Sequence, residues 1–115
     1  MLNNWIEQLS ETKKASAGLL SANPKLLSAF QGLNAAQNGN GVLDAKTREL
    51  IALAVAVTTR CDSCIASHVS AARAAGVTEA ELGDALGTAI ALNAGAAYVY
   101  SLRTLEAFKQ FAPAE

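Results

Sequence analysis

Glu49, Cys61, Cys64 and His68 stand in the string E-x11-C-D-S-C-x3-H, and the chain's two cysteines and its single histidine all fall within residues 61–68. That clustering points to chemistry carried by sulfur. A helix that starts at Cys61 puts Cys64 one turn on and His68 another turn beyond, so all three side chains share one stripe. A C-x2-C pair brings two sulfurs close enough to close a small disulfide, and the partial positive charge of a helix N-terminus favours thiolate over thiol. Imidazole is the one side chain type whose charge ordinarily changes around neutral pH, so His68, one turn after Cys64, can take the proton of that thiol, which makes Cys64 the best nucleophile. Glu49 precedes this segment, and a tight turn between two helices would fold its carboxylate back against His68, to orient the ring or pass a proton onward.

Blander readings of the same residues stay open. Free cysteine packs like a small hydrophobe, so the pair could be core. Two cysteines and one histidine could hold zinc, but a closed structural site needs four ligands, and only Asp62 or Glu49 could supply the fourth. His68 could pack between Ala71, Ala72 and a neighbouring helix, and Glu49 could pair with Lys46 or Arg60. Ser63 and Ser67 lie where hydroxyls usually serve the backbone.

Six helical segments are expected to position these groups. The first is amphipathic, with Trp5, Ile6 and Leu9 on one side. Asn23 and Pro24 open the second, which carries Leu26, Leu27, Phe30 and Leu33 as a buried stripe and ends near Ala36. The turn Gln37 to Gly41, QNGNG, suits left-handed backbone. Asp44 caps a third helix over about 45–59, built from the apolar run LIALAVAV. The fourth covers 61–75, with Gly76 as its stop. Thr78 and Glu81 form a capping-box pattern that opens a fifth, carrying Leu82, Leu86, Ala89 and Ile90 to about Leu92. Asn93 to Gly95 interrupt, and Ala97, Tyr98, Leu102, Leu105 and Phe108 mark a last helix ending before Pro113. Of Tyr98 and Tyr100, at most one can face the core. No strand pattern appears, so the expected fold is all-α, a single-domain bundle of about six helices spanning 1–115.

Composition agrees. Hydrophobic residues make up 51% of the 115 residues but aromatics only 5%, the balance of an alanine-rich chain with closely packed helices. With a net charge of −1, the chain carries no long-range field to gather phosphates, which argues against nucleic acid as a partner. The N-terminal MLNNWIEQLSETKK lacks the pattern of a secretory signal, and LIALAVAV is far shorter than a bilayer crossing, so a cytoplasmic location is expected, without a membrane partner. In a reducing compartment, a C-x2-C pair is more often redox-active or metal-binding than a structural staple.

The string E-x11-C-x2-C-x3-H within RELIALAVAVTTRCDSCIASHVSAARAAGVTEAEL resembles the alkylhydroperoxidase D and carboxymuconolactone decarboxylase superfamily over roughly residues 42–107. The resemblance implies an alkylhydroperoxidase D-like fold and a thiol-dependent peroxidase of the oxidoreductase class. It assigns Cys64 to attack the hydroperoxide, Cys61 to resolve it as a disulfide, and Glu49 with His68 to relay the proton. No cofactor or metal is implied beyond that disulfide and an external dithiol, a lipoyl protein by resemblance or thioredoxin by dithiol chemistry. Trimers or hexamers are common in the family, and a homohexamer is expected here. The family's best-known member has a histidine between its cysteines, where this chain has Asp62 and Ser63. The decarboxylase branch generally lacks the cysteine pair, which ranks lactone decarboxylation below thiol chemistry. A non-catalytic redox-sensing or scaffold oligomer is the alternative from a different class.

Overall fold

A computed structural model describes residues 1–114, and the described residues form five α-helices and no strand. They are α1 (Trp5–Ala22), α2 (Pro24–Ala36), α3 (Ala45–Thr59), α4 (Asp62–Ala74) and α5 (Glu79–Gln110). The six expected segments are all present, because α5 consists of two helical stretches that meet at Ala94, whose φ of 52° and ψ of −129° lie outside helical space. A left-handed alanine is strained, and Gly95 follows it directly.

Each start has a local cause. The side chains of Asn4, Asn23, Asp44 and Thr78 accept hydrogen bonds from the backbone N–H groups of Glu7, Leu26, Thr47 and Glu81, and so satisfy donors that the first helical turn leaves unpaired. At Thr78 the bond is reciprocal: the Glu81 carboxylate accepts from the Thr78 N–H at 2.9 Å. Gly76, with φ 82°, ends α4. Cys61 is the N-cap of α4 rather than its first helical residue, so the helix begins one position later than the sequence suggests.

The core is shared by α3, α4 and α5, and α1 closes it. Leu53 and Val57 of α3, Ile65 and Val69 of α4, and Leu82 and Phe108 of α5 are buried. Trp5 reaches in from the start of α1 and is fully buried. Its indole N–H donates to Glu106 at 3.1 Å, and the same carboxylate accepts from the backbone of Leu2 and Asn3 at 2.7 Å. Gln110 accepts from the Trp5 N–H at 2.6 Å and donates to the Asn3 carbonyl at 2.7 Å, so the last turns of α5 clamp the N-terminal segment. Arg73 donates to the Phe108 carbonyl at 3.0 and 2.7 Å, pairing a cation with the C-terminal end of α5.

Two sequence expectations are corrected. The Leu26, Leu27, Phe30 and Leu33 stripe of α2 is not buried: Phe30 is 56% and Leu33 69% exposed, and α2 contains no buried residue. Within the chain, α2 packs against α1 alone, so its periodic apolar face has no intrachain surface to meet. Ile6, expected beside Trp5 and Leu9, is 48% exposed, because α1 buries only a narrow strip at Trp5. Ile51 and Val55 of α3 likewise face outward, as do Tyr98 and Leu102 of α5, while Tyr100 packs against the core. By length and composition α5 would suffice to cross a bilayer, but it breaks at Ala94 and buries Leu82, Leu86, Ala97 and Phe108 against its neighbours.

Trp5→Ala is expected to cost about 3–5 kcal/mol in denaturant unfolding, since it empties a fully buried aromatic site and frees Glu106 from its indole donor. Acid should destabilise the fold through identifiable carboxylates. Hydrogen bonds from Thr47 hold Asp44 below its ordinary value of 3.8; Lys46 and the Thr78 backbone hold Glu81 below 4.5; the Leu2 and Asn3 backbone holds Glu106 below 4.5. Each is lower when folded than when unfolded, so its stabilisation is complete above the unfolded value and disappears as the pH falls through the folded one. Thermal unfolding followed against pH should show the midpoint dropping below the ordinary carboxylate range, with a shallower drop in Glu106→Gln.

Candidate active site

The chain reverses at a single residue. Arg60 adopts the left-handed conformation, with φ 56° and ψ 50°, and the Cys61 N–H returns to the Ala56 carbonyl at 3.1 Å. Helix α4 therefore starts at the end of α3 and packs back along it. Cys61 caps α4 through its sulfur, which accepts from the Cys64 N–H at 3.2 Å. The two cysteines are joined in a disulfide with their Cα atoms 5.2 Å apart, which places the pair in its oxidised state at the helix N-terminus.

Packing α4 against α3 also brings together residues far apart in sequence. His68 Nδ1 lies 2.7 Å from Glu49 Oε2, with both side chains largely shielded from solvent. An ionised carboxylate can only accept, so this contact fixes the hydrogen of a neutral ring on Nδ1 and leaves Nε2 as its basic nitrogen. Glu49 does not pair with either cation near it in sequence; Lys46 instead bonds Glu81 at 2.9 Å. Among the described residues, no cluster of three or more metal-ligating side chains forms.

Cys64 and His68 line one open depression of about 250 Å³ together with Ala52, Val55, Ala56 and Thr59 of α3. Its floor is apolar, which lowers the local dielectric around the sulfur and the ring. Ala52 also borders a second, larger cleft of about 400 Å³ under the Gln37–Leu43 turn, where Val42, Leu43 and Ile51 meet Arg48. Ala52 is thus a lining residue common to this cleft and to the depression that holds Cys64.

All four residues expected from the sequence take part: Cys61 and Cys64 in the disulfide, His68 beside Cys64 in the depression, and Glu49 behind His68. The sequence reading did not single out the groups that hold Asp62 and Ser63. Arg103 of α5 grips Asp62 with two bonds, Nε to Oδ1 at 3.0 Å and a terminal nitrogen to Oδ2 at 2.6 Å. Ser63 Oγ lies 3.2 Å from Thr12 Oγ1 of α1 and 3.4 Å from Gln8 Nε2. The one sequence signal for Arg103 is a cation on the otherwise core-facing row of Tyr100, Thr104 and Ala107.

Comparison with known proteins bears on the family and the fold. Residues 24–107 match the model of the carboxymuconolactone decarboxylase family. An uncharacterised protein from Haemophilus influenzae is 60% identical over 108 residues, covering 94% of this chain and 96% of its own. An uncharacterised protein of the cox locus of Paracoccus denitrificans is 39% identical, over 84% of this chain and 81% of its own. The crystal structure of an apo carboxymuconolactone decarboxylase family protein from Legionella pneumophila superposes with a TM-score of 0.89 at 32% identity, covering 95% of this chain and 97% of that one. A family match over most of the helical unit, together with a near-complete structural overlap, means that this chain belongs to the carboxymuconolactone decarboxylase family.

Proposed function

We propose that the protein is a thiol-dependent peroxidase that reduces hydroperoxides through a Cys61–Cys64 disulfide cycle. The observation that carries this reading is the arrangement of one depression: a helix-terminal disulfide cysteine and a histidine share it, and a carboxylate fixes the histidine's tautomer from behind.

In the reduced protein, His68 Nε2 takes the proton of Cys64, and the thiolate attacks the terminal oxygen of the hydroperoxide. The O–O bond breaks, its electron pair leaves with the alkoxide, and the proton held by His68 converts the alkoxide to an alcohol. Cys64 is left as a sulfenic acid. Cys61 attacks that sulfur, the S–S bond forms, and the displaced hydroxide leaves as water with the Cys61 proton. An external dithiol, from a lipoyl protein or thioredoxin, returns two electrons and two protons and is itself oxidised to a disulfide. Glu49 carries no covalent step; it keeps the ring oriented and stabilises the imidazolium while the proton is in transit. A cytoplasmic location, where such dithiols are kept reduced, suits the cycle.

We place the working enzyme in a homo-oligomer, with a hexamer preferred and a trimer second. The support is the number of large apolar side chains left facing outward, among them Phe30 and Leu33 on α2, Val55 on α3, and Leu92 and Tyr98 on α5.

With an organic hydroperoxide and an excess of dithiol, Cys64→Ser should abolish turnover. Cys61→Ser should instead stall after one equivalent, with a Cys64 sulfenic acid detectable by mass spectrometry. A wild-type protein that turns over neither hydroperoxides nor disulfides, yet changes its assembly state on reduction, would replace this reading with a redox sensor. His68→Gln should lower the rate of Cys64 oxidation by about 10²-fold or more, as loss of a general base does, and Glu49→Gln by less. Stopped-flow oxidation of the reduced variants measures both.

A further inference from the structure

The two residues between the cysteines are both held by other helices, but only one of them is charged. Asp62 is the first residue of α4, so its carboxylate sits at the helix N-terminus between the two sulfurs in sequence. A carboxylate suits that end of a helix but works against a thiolate placed there, because like charges raise a thiol's ionisation midpoint. Unopposed, it would cancel the helix-end potential that makes the dithiol reactive.

Arg103 opposes it. The guanidinium meets both carboxylate oxygens, at 3.0 and 2.6 Å, in the planar two-bond geometry that lysine cannot reproduce. It is boxed by aromatic rings, with its central carbon 5.1 Å from the Trp5 ring centre and 5.5 Å from that of Tyr100. Glu106 in turn anchors Trp5 through the indole N–H. The pair with Asp62 is the main reason that Arg103 holds its proton more firmly than a free arginine.

We propose that Arg103 is a positioning residue for the dithiol, acting through Asp62: it neutralises and pins the one carboxylate between the cysteines, so that the start of α4 stays electropositive toward both sulfurs. This rests on the redox role given to Cys61 and Cys64, but not on peroxide being the oxidant. The other charged groups around the pair are Arg60, adjacent to Cys61 at the end of α3; His68 on α4, with Glu49 of α3 behind it; and Glu106 of α5, beyond Arg103. From α1 the contacts to this turn come from neutral Gln8 and Thr12.

The test titrates the thiolate ultraviolet absorbance of the reduced protein against pH and reads its midpoint in three variants. Arg103→Gln should raise the midpoint, with the thiol ionisation constant falling about three- to tenfold. Asp62→Asn should lower it, because Arg103 then faces the dithiol without its counter-charge. The double variant should return close to wild type. In a glutathione redox buffer, Arg103→Gln should shift the equilibrium toward the disulfide, since the reduced form loses thiolate stabilisation. An unchanged midpoint in Arg103→Gln, or a double variant that keeps the single variant's shift, overturns the proposal and leaves the ion pair as a packing contact. Should Arg103→Gln fail to fold, Asp62→Asn decides alone: a midpoint that rises or stays put overturns the proposal. These midpoints are read without peroxide, so a wild-type protein that shows the shifts but no turnover removes the peroxidase reading and keeps this one.

Discussion

The left-handed turn at Arg60 is the constraint from which the site follows. With one residue of positive φ, α4 starts where α3 stops and must run back along it. At 1.5 Å per helical residue, Glu49 lies roughly 16 Å before the turn and His68 roughly 12 Å after it, so the two arrive at similar heights on facing helices. Their 2.7 Å contact is the result. The same turn delivers Cys61 as the cap of α4, which sets the sulfur pair at the positive end of that helix rather than somewhere along its length.

Neighbouring helices hold this turn from both sides. Thr12 and Gln8 of α1 reach Ser63, and Arg103 of α5 reaches Asp62, so each residue between the cysteines is tied to a different element. The clamp continues outward: Trp5 flanks Arg103, Glu106 takes the Trp5 indole, and Glu106 with Gln110 secures the N-terminal segment. The first turn of α4 is the part of the molecule that a disulfide cycle would disturb most, and it is the part the other helices grip. The apolar depression beside it, lined by Cys64 and His68, stays open to solvent.

The caps explain why so much of the helical pattern was legible. Asn23 before Pro24, Asp44 before Ala45, and Thr78 with Glu81 are short-range devices whose energy is realised within four residues, so no tertiary information is needed to read them. The break at Asn93 to Gly95 was readable for the same reason, and it appears as a kink at Ala94. The α2 stripe failed because periodicity reports which residues share a face and not what that face meets. Leu26, Phe30 and Leu33 do line up, but within one chain only α1 lies beside that helix. Arg103 differs: its place on the core-facing row of α5 marks it as a cation in need of a partner, but Asp62 is 41 positions away in sequence and nothing local names it as that partner.

By itself the sequence determined the helical segments, the caps at Asn23, Asp44 and Thr78, the spacing that puts Cys61, Cys64 and His68 on one stripe, and Glu49 as an acid that a tight turn between two helices could bring to His68. The segments, caps and spacing are set by periodicity and neighbour effects within a turn or two. Only the tertiary structure decided that Glu49 prefers His68 to Lys46 or Arg60, that α2 keeps its apolar face outward, and that Asp62 is matched by Arg103. Those outcomes depend on which helices lie side by side. That choice is made by the packing of Leu53, Val57, Ile65, Val69 and Leu82 across α3, α4 and α5, a long-range competition that no single stretch of the chain encodes.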